Sequence, residues 1–171
     1  MSGHFIGLDV STTASKAVVI DEGGTVIATA SHDHVLETPR PLWSEQDPAE
    51  WWRASCASLQ TVLEAIPRDS VAALGLTGQM HGLTALDAAD RPLRPAILWN
   101  DQRSAAQCEA ITGAIGAERL YQLIGSSMLP GFTAPKLAWM RDEEPELFAR
   151  IAHVLLPKDY VRYLLLSLIH I

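Results

Sequence analysis

Three segments of this 171-residue chain combine residue types and spacings that suit chemistry. The first is Asp9-Val-Ser-Thr-Thr-Ala-Ser-Lys16. An acid at the end of an apolar run leads into a hydroxyl-rich turn and then a lysine. Such a turn can present backbone N–H groups and hydroxyls to phosphate oxygens. The acid can hold Mg²⁺, which prefers oxygen ligands and keeps several waters. A plain β-hairpin turn, with Ser and Thr satisfying local backbone groups, accounts for the same residues. The second segment is Gly78-Gln-Met-His-Gly82. Its glycines let the backbone approach a ligand closely. Gln79 and His81 can hydrogen-bond hydroxyls, and Met80 can supply an adaptable apolar wall. A glycine-bounded connection with a half-buried histidine is the competing reading. The third is Trp99-Asn-Asp-Gln-Arg103. An indole face beside amide, carboxylate and guanidinium groups suits a polyol. Asn100 or Asp101 can equally cap a following helix. His32 and His34 alternate on a strand, but no carboxylate or cysteine cluster of metal-ligand spacing accompanies them.

The elements that must position these segments follow from periodicity. Phe5–Asp9, Lys16–Ile20 and Thr25–Ser31 read as three short strands with hairpin spacing, the last two joined at Glu22-Gly-Gly24. Asp47 can cap a helix that begins at Pro48, with Trp51, Trp52, Cys56, Leu59, Val62, Leu63 and Ile66 recurring at helical spacing. Val71–Leu76 reads as a buried strand leading into the Gly78–Gly82 loop. Leu83–Leu86, Ala96–Trp99 and His153–Leu156 are further short strands. Helices are expected over Asp101–Ile115, Glu118–Ile124, Pro135–Arg141, Pro145–Ile151 and Lys158–Leu164. Strands first, then alternating helices and strands, predict an α/β layer structure with a mixed sheet that opens in an antiparallel hairpin.

Composition narrows the partners. With 48% hydrophobic and 19% charged residues, a folded core is expected. The net charge of -7 argues against nucleic acid as a partner, because phosphate backbones need a basic surface. No apolar run reaches the roughly 20 residues that span a bilayer, and no secretory leader opens the chain. The two cysteines, Cys56 and Cys108, form no disulfide framework. A reduced compartment, the cytoplasm, fits these features.

Taken together the segments resemble the N-terminal part of the FGGY carbohydrate kinases, and within them the xylulokinase branch. The resemblance runs from about residue 5 to about residue 163. It is carried by Gly7-Leu-Asp-Val-Ser-Thr-Thr13 with Lys16, and by Pro41-Leu-Trp-Ser-Glu-Gln-Asp-Pro48 with Trp51-Trp52. Gly78-Gln-Met-His-Gly82, Arg94-Pro-Ala-Ile-Leu-Trp-Asn-Asp101 with Arg103, Met128-Leu-Pro-Gly-Phe-Thr-Ala-Pro-Lys-Leu137 and Leu155-Leu-Pro-Lys-Asp-Tyr160 continue it in order.

The resemblance implies a lobe of actin-like, ribonuclease-H-like fold, one of two around a cleft. It implies ATP- and Mg²⁺-dependent phosphorylation of D-xylulose to D-xylulose 5-phosphate. Asp9 would stand on the phosphate and metal side, with Thr12, Thr13 and Lys16 on the phosphate-side turn. Gln79, Met80 and His81 would contact the ketose, with Asp101 and Arg103 in a matching substrate block. Ser11 stands where the family usually has glycine. The family's catalytic base is an aspartate beyond residue 171, in a C-terminal lobe this chain lacks, so the fragment is expected to be inactive alone. Residues 1–163 then read as a partial lobe, and 164–171 as a truncated or non-native tail. At full length a homodimer is expected. A kinase for another sugar or polyol, or a non-catalytic sugar-binding module, are the alternatives.

Overall fold

The computed structural model describes residues 3–166. In chain order the elements are β1 (His4–Val10), β2 (Ala14–Asp21), β3 (Val26–Asp33), β4 (Glu45–Gln46) and α1 (Pro48–Leu63). They continue with β5 (Val71–Gly78), β6 (Thr84–Leu86), β7 (Ala96–Ile97), α2 (Ala105–Ile115) and α3 (Ala117–Ile124). The last are α4 (Thr133–Glu143), α5 (Pro145–Phe148), β8 (His153–Leu155) and α6 (Pro157–Leu166). The expected tail from residue 164 begins inside α6, and its residues 167–171 lie outside the described residues.

The chain divides into two compact units. The first comprises residues 3–36, 47–80 and 157–166. Its sheet has the strand order β3-β2-β1-β5, antiparallel throughout except for the β1–β5 pair. The mixed sheet with a hairpin at its front is therefore as expected. Period-two alternation turns Ile6, Leu8, Val10, Ala17 and Val19 inward, where they are buried. Helix α1 covers that face. Asp47 caps it by accepting from the Ala49 N–H, and Pro48 takes the first helical position. Two serines fasten α1 to β2: Ser55 Oγ donates to Ser15 Oγ at 3.0 Å, and Ser58 Oγ donates to the Ser15 carbonyl at 2.8 Å. Trp51, fully buried, meets Tyr160 of α6 edge-on at 6.5 Å.

Strand β5 differs from expectation. It is mostly exposed, with Leu74 at 40%. Among the described residues it is the edge of the sheet, so an apolar sequence that reads as interior has no neighbour on one side.

The second unit comprises residues 37–46 and 81–156. It holds two small antiparallel ladders, β4–β7 and β6–β8. Leu83, Ala85, Ile97, Trp139 and Met140 form its apolar core. Helix α2 starts four residues later than the sequence predicts, with Ser104 at its N-cap. Asp101 is not the cap; it has a different task described below.

Candidate functional site

In the first unit the site is built on the ends of β1 and β5. Asp9 pairs across β1 with Lys16 of β2 and with Thr77 of β5, and Lys16 pairs with Ser31 of β3. Directly paired residues point to the same face of a sheet. Thr77, Asp9, Lys16 and Ser31 therefore form one polar row on the face opposite α1. That row borders an open depression of about 740 Å³, whose floor includes Gly7 and Val18.

The turn between β1 and β2 is closed by Ser11. Its N–H donates to the Ala14 carbonyl at 3.0 Å, and its hydroxyl donates there at 2.8 Å. Ser11 is not among the residues with positive φ, so the departure from glycine carries no backbone strain. The turn leaves Thr12 half-buried and Thr13 exposed at its tip. His34 lies against this turn: its N–H donates to the Thr13 carbonyl at 3.0 Å, and its Nε2 is 3.3 Å from Ser15 Oγ. Burial pushes the His34 imidazole below its ordinary pKa, opposed in part by hydrogen bonding to the Thr12 backbone. His32 is held by Ser58 Oγ at 3.0 Å from its Nδ1.

Gln79 belongs to the first unit. Its N–H donates to the Val10 carbonyl at 2.8 Å, and its side-chain amide reaches the Ser11 carbonyl at 3.5 Å. Gly78 makes this approach feasible, since a Cβ there would stand 2.5 Å from the Val10 carbonyl oxygen. The residues fit a Mg²⁺ held mainly by nucleotide phosphates, because Mg²⁺ takes one or two carboxylates plus phosphate and water oxygens. Asp9 would be the carboxylate. An all-protein cage does not fit, since no cluster of three or more ligating side chains occurs among the described residues.

In the second unit a concavity of about 330 Å³ is lined by His81, Trp99, Gln102, Leu129, Gly131 and Phe132. His81 has φ of 62°, the left-handed region that a non-glycine residue enters only when its surroundings hold it. Its carbonyl accepts from Lys136 Nζ at 2.9 Å and from Thr133 Oγ1 at 3.2 Å. Its ring lies 5.0 Å from the Phe132 ring. Trp99 is half exposed, at 49%. Gly131 packs so close to the Trp99 carbonyl oxygen that a Cβ would sit 2.7 Å from it. Met80, next to His81 in sequence, is 55% exposed.

Asp101 and Arg103 are not among the residues that line this concavity. Asp101 is fully buried and the Arg103 side chain is 1% exposed. Arg103 donates through Nε and Nη2 to Asp101, the shortest contact being 2.7 Å, and through Nη1 to Glu45 at 2.6 Å. Its guanidinium stacks 3.6 Å from the Trp43 ring centroid. Asp101 also accepts the Ser44 N–H at 2.6 Å. Arg94 completes the cluster by bonding Glu45 and, at 2.5 Å, Glu144. Planar, bidentate geometry explains why arginine serves here. These groups hold the backbone on either side of Gln102, the residue between them that does line the concavity.

Sequence reasoning missed Lys136 and Phe132 as individual residues. Lys136 is 0% exposed and its pKa is pushed down to about 8 by desolvation, opposed by the Asp101 carboxylate. The available signal was a lone lysine between Pro135 and Leu137 in an otherwise apolar run.

The sequence profile of the FGGY family of carbohydrate kinases, N-terminal domain, matches residues 4–169. Xylulose kinase from Escherichia coli strain K12 is 46% identical over 158 residues, which is 92% of this chain and 32% of that protein. A solved xylulose kinase from Rhodospirillum rubrum is 29% identical with a TM-score of 0.90, covering 94% of this chain and 33% of the other. A solved gluconate kinase from Lactobacillus acidophilus is 26% identical with a TM-score of 0.89, covering 95% and 33%. The chain thus spans about a third of the length of the relatives it matches. These kinases share the mixed-sheet α/β lobe of the actin-like ATPases, as expected. The profile match over 4–169, joined to the sheet order and the two concavities, places this chain in the FGGY family of carbohydrate kinases.

Proposed function

We propose that this chain forms the ketose-contacting pocket and one phosphate-facing turn of an ATP-dependent kinase that converts D-xylulose to D-xylulose 5-phosphate. The observation that carries the reading is the 46% identity with a xylulose kinase over 92% of the chain. In this reading the exposed Trp99 indole packs on the sugar carbons, while His81 and Gln102 hydrogen-bond its hydroxyls. Met80 borders the same sugar. Asp9 orients the nucleotide phosphates, and the Thr12–Thr13 turn with Lys16 offers them donors and positive charge. Bound Mg²⁺ would neutralise charge that develops on the phosphate oxygens. Asp101 and Arg103 hold the pocket wall. Gln79 ties the end of β5 to the phosphate turn.

Phosphoryl transfer also needs a group that orients and deprotonates the attacking hydroxyl. We assign it to no residue of this chain. The cytoplasm is the proposed compartment, and the remaining length of the enzyme and a second copy are the proposed partners.

The gluconate kinase neighbour supports a second reading, a different polyol in the same pocket, because its backbone matches equally well. Both are tested in a protein that carries this chain at the full length of its relatives. With D-xylulose, gluconate, ribulose and glycerol supplied in turn, xylulose is expected to give the highest kcat/KM. Asp9→Ala should cut kcat by about a hundredfold or more with little change in ketose KM, whereas His81→Ala should raise ketose KM by about tenfold. Equal effects on both parameters in both variants would refute this division of roles.

A further inference from the structure

We propose that Lys136 is the positioning residue of the ketose pocket, its ammonium fastening the His81 loop to the Gly131 loop and thereby setting the His81 ring. This rests on the ketose reading above. Lys136 stands in the first turn of α4 yet is 0% exposed. A cation there is deprived of water and faces the positive end of the helix dipole. It needs acceptors, and the structure supplies two backbone carbonyls. One belongs to His81, at 2.9 Å from Nζ, and the other to Gly131. Both residues line the same 330 Å³ concavity, so a single ammonium ties two of its loops together.

The His81 backbone needs such a tie. Its φ of 62° is costly for a residue with a Cβ and persists only when over-determined. Thr133 Oγ1 gives a second bond to the same carbonyl, and Phe132 backs the ring. Removing the ammonium leaves both carbonyls without their charged donor and frees His81 to relax. A lysine suits the task because three donors on a flexible stem can serve two carbonyls in different directions.

The test uses a protein carrying this chain at the full length of its relatives. Lys136→Met keeps length and apolar volume but removes every donor. It should raise ketose KM about tenfold while kcat and the KM for ATP stay within about twofold. The His81 ring signals in its NMR spectrum should shift. Lys136→Ala opens a space that ethylamine can enter. Added ethylamine should lower its ketose KM, and the same addition should leave Lys136→Met unchanged. The Lys136→Ala pair carries the test if Lys136→Met fails to fold. Unshifted His81 signals would overturn the proposal. So would parallel rises in the KM values for ketose and ATP without amine rescue, the pattern of a general structural lesion. His81→Ala serves as the control. If it leaves ketose KM unchanged, the ketose reading fails, and the His81 signals in the Lys136 variants alone decide the positioning role.

Discussion

His34 shows how one side chain can couple solution conditions to the turn between β1 and β2. It is 6% exposed, its N–H holds the Thr13 carbonyl, and its imidazole meets Ser15, which in turn accepts from Ser55 of α1. Burial depresses its pKa in the folded state. Below pH 6.5 the unfolded chain therefore takes up a proton that the folded chain refuses. Stability rises with pH wherever the unfolded state binds more protons, so it must fall as pH drops below 6.5. The depressed carboxylates Asp21, Asp87, Asp142 and Glu50 lose their contribution at lower pH, as it falls through their ordinary values of 3.8 and 4.5. Urea unfolding at intervals from pH 7.5 to pH 5 should show a steady loss, at steps of roughly half a unit. His34→Gln should remove that slope. A slope retained in the variant would assign the proton to another group.

At the scale of elements, the segment between β7 and α2 illustrates how folding divides one motif between a concavity and a buried ion-pair cluster. Carboxylate, amide and guanidinium neighbours beside a tryptophan suggest a polyol surface. Folding divides them: Trp99 and Gln102 face the concavity, whereas Asp101 and Arg103 turn inward to Ser44 and Glu45. Arg103→Met is accordingly a stability lesion. Breaking a buried ion pair from one side strands the other charge and costs about 3–5 kcal/mol. Chemical denaturation should read that loss directly. A variant with unchanged stability but a raised ketose KM would make Arg103 a sugar contact instead. The mis-assigned helix cap has the same origin. Asp101 and Ser104 are both good cap residues by type, and the burial of Asp101 beside Arg103 decided between them.

For the whole molecule, the decisive facts are coverage and the open side of the sheet. The chain matches its relatives closely but over a third of their length. Strand β5 is a largely exposed edge, and the polar row of Asp9, Lys16 and Thr77 lies on the face that α1 does not cover. Only Asp9 among the proposed site residues is an acid that lines an open depression, and its proposed role is on the phosphate side rather than as the base. The 171-residue chain alone should therefore release no ADP above background with D-xylulose and MgATP in a coupled assay. Turnover comparable to that of a full-length relative would show that the base lies within these residues.

Much of this protein was legible in its order of residues. The antiparallel start, the Asp47–Pro48 helix entry and the short strands follow from local rules of alternation, capping and proline placement, and the structure agrees within a few residues. The family was legible too, because six motif blocks in sequence are a joint constraint that survives without coordinates. Burial direction was not. Whether Arg103 meets solvent, whether β5 is interior or edge, and whether Gln79 bonds the β1–β2 turn depend on which distant segments arrive beside them. Lys136 is the clearest case. Its type predicts an exposed, mobile cation, and only the approach of the His81 and Gly131 carbonyls, 55 and 5 residues away, makes its burial tolerable and gives it a task.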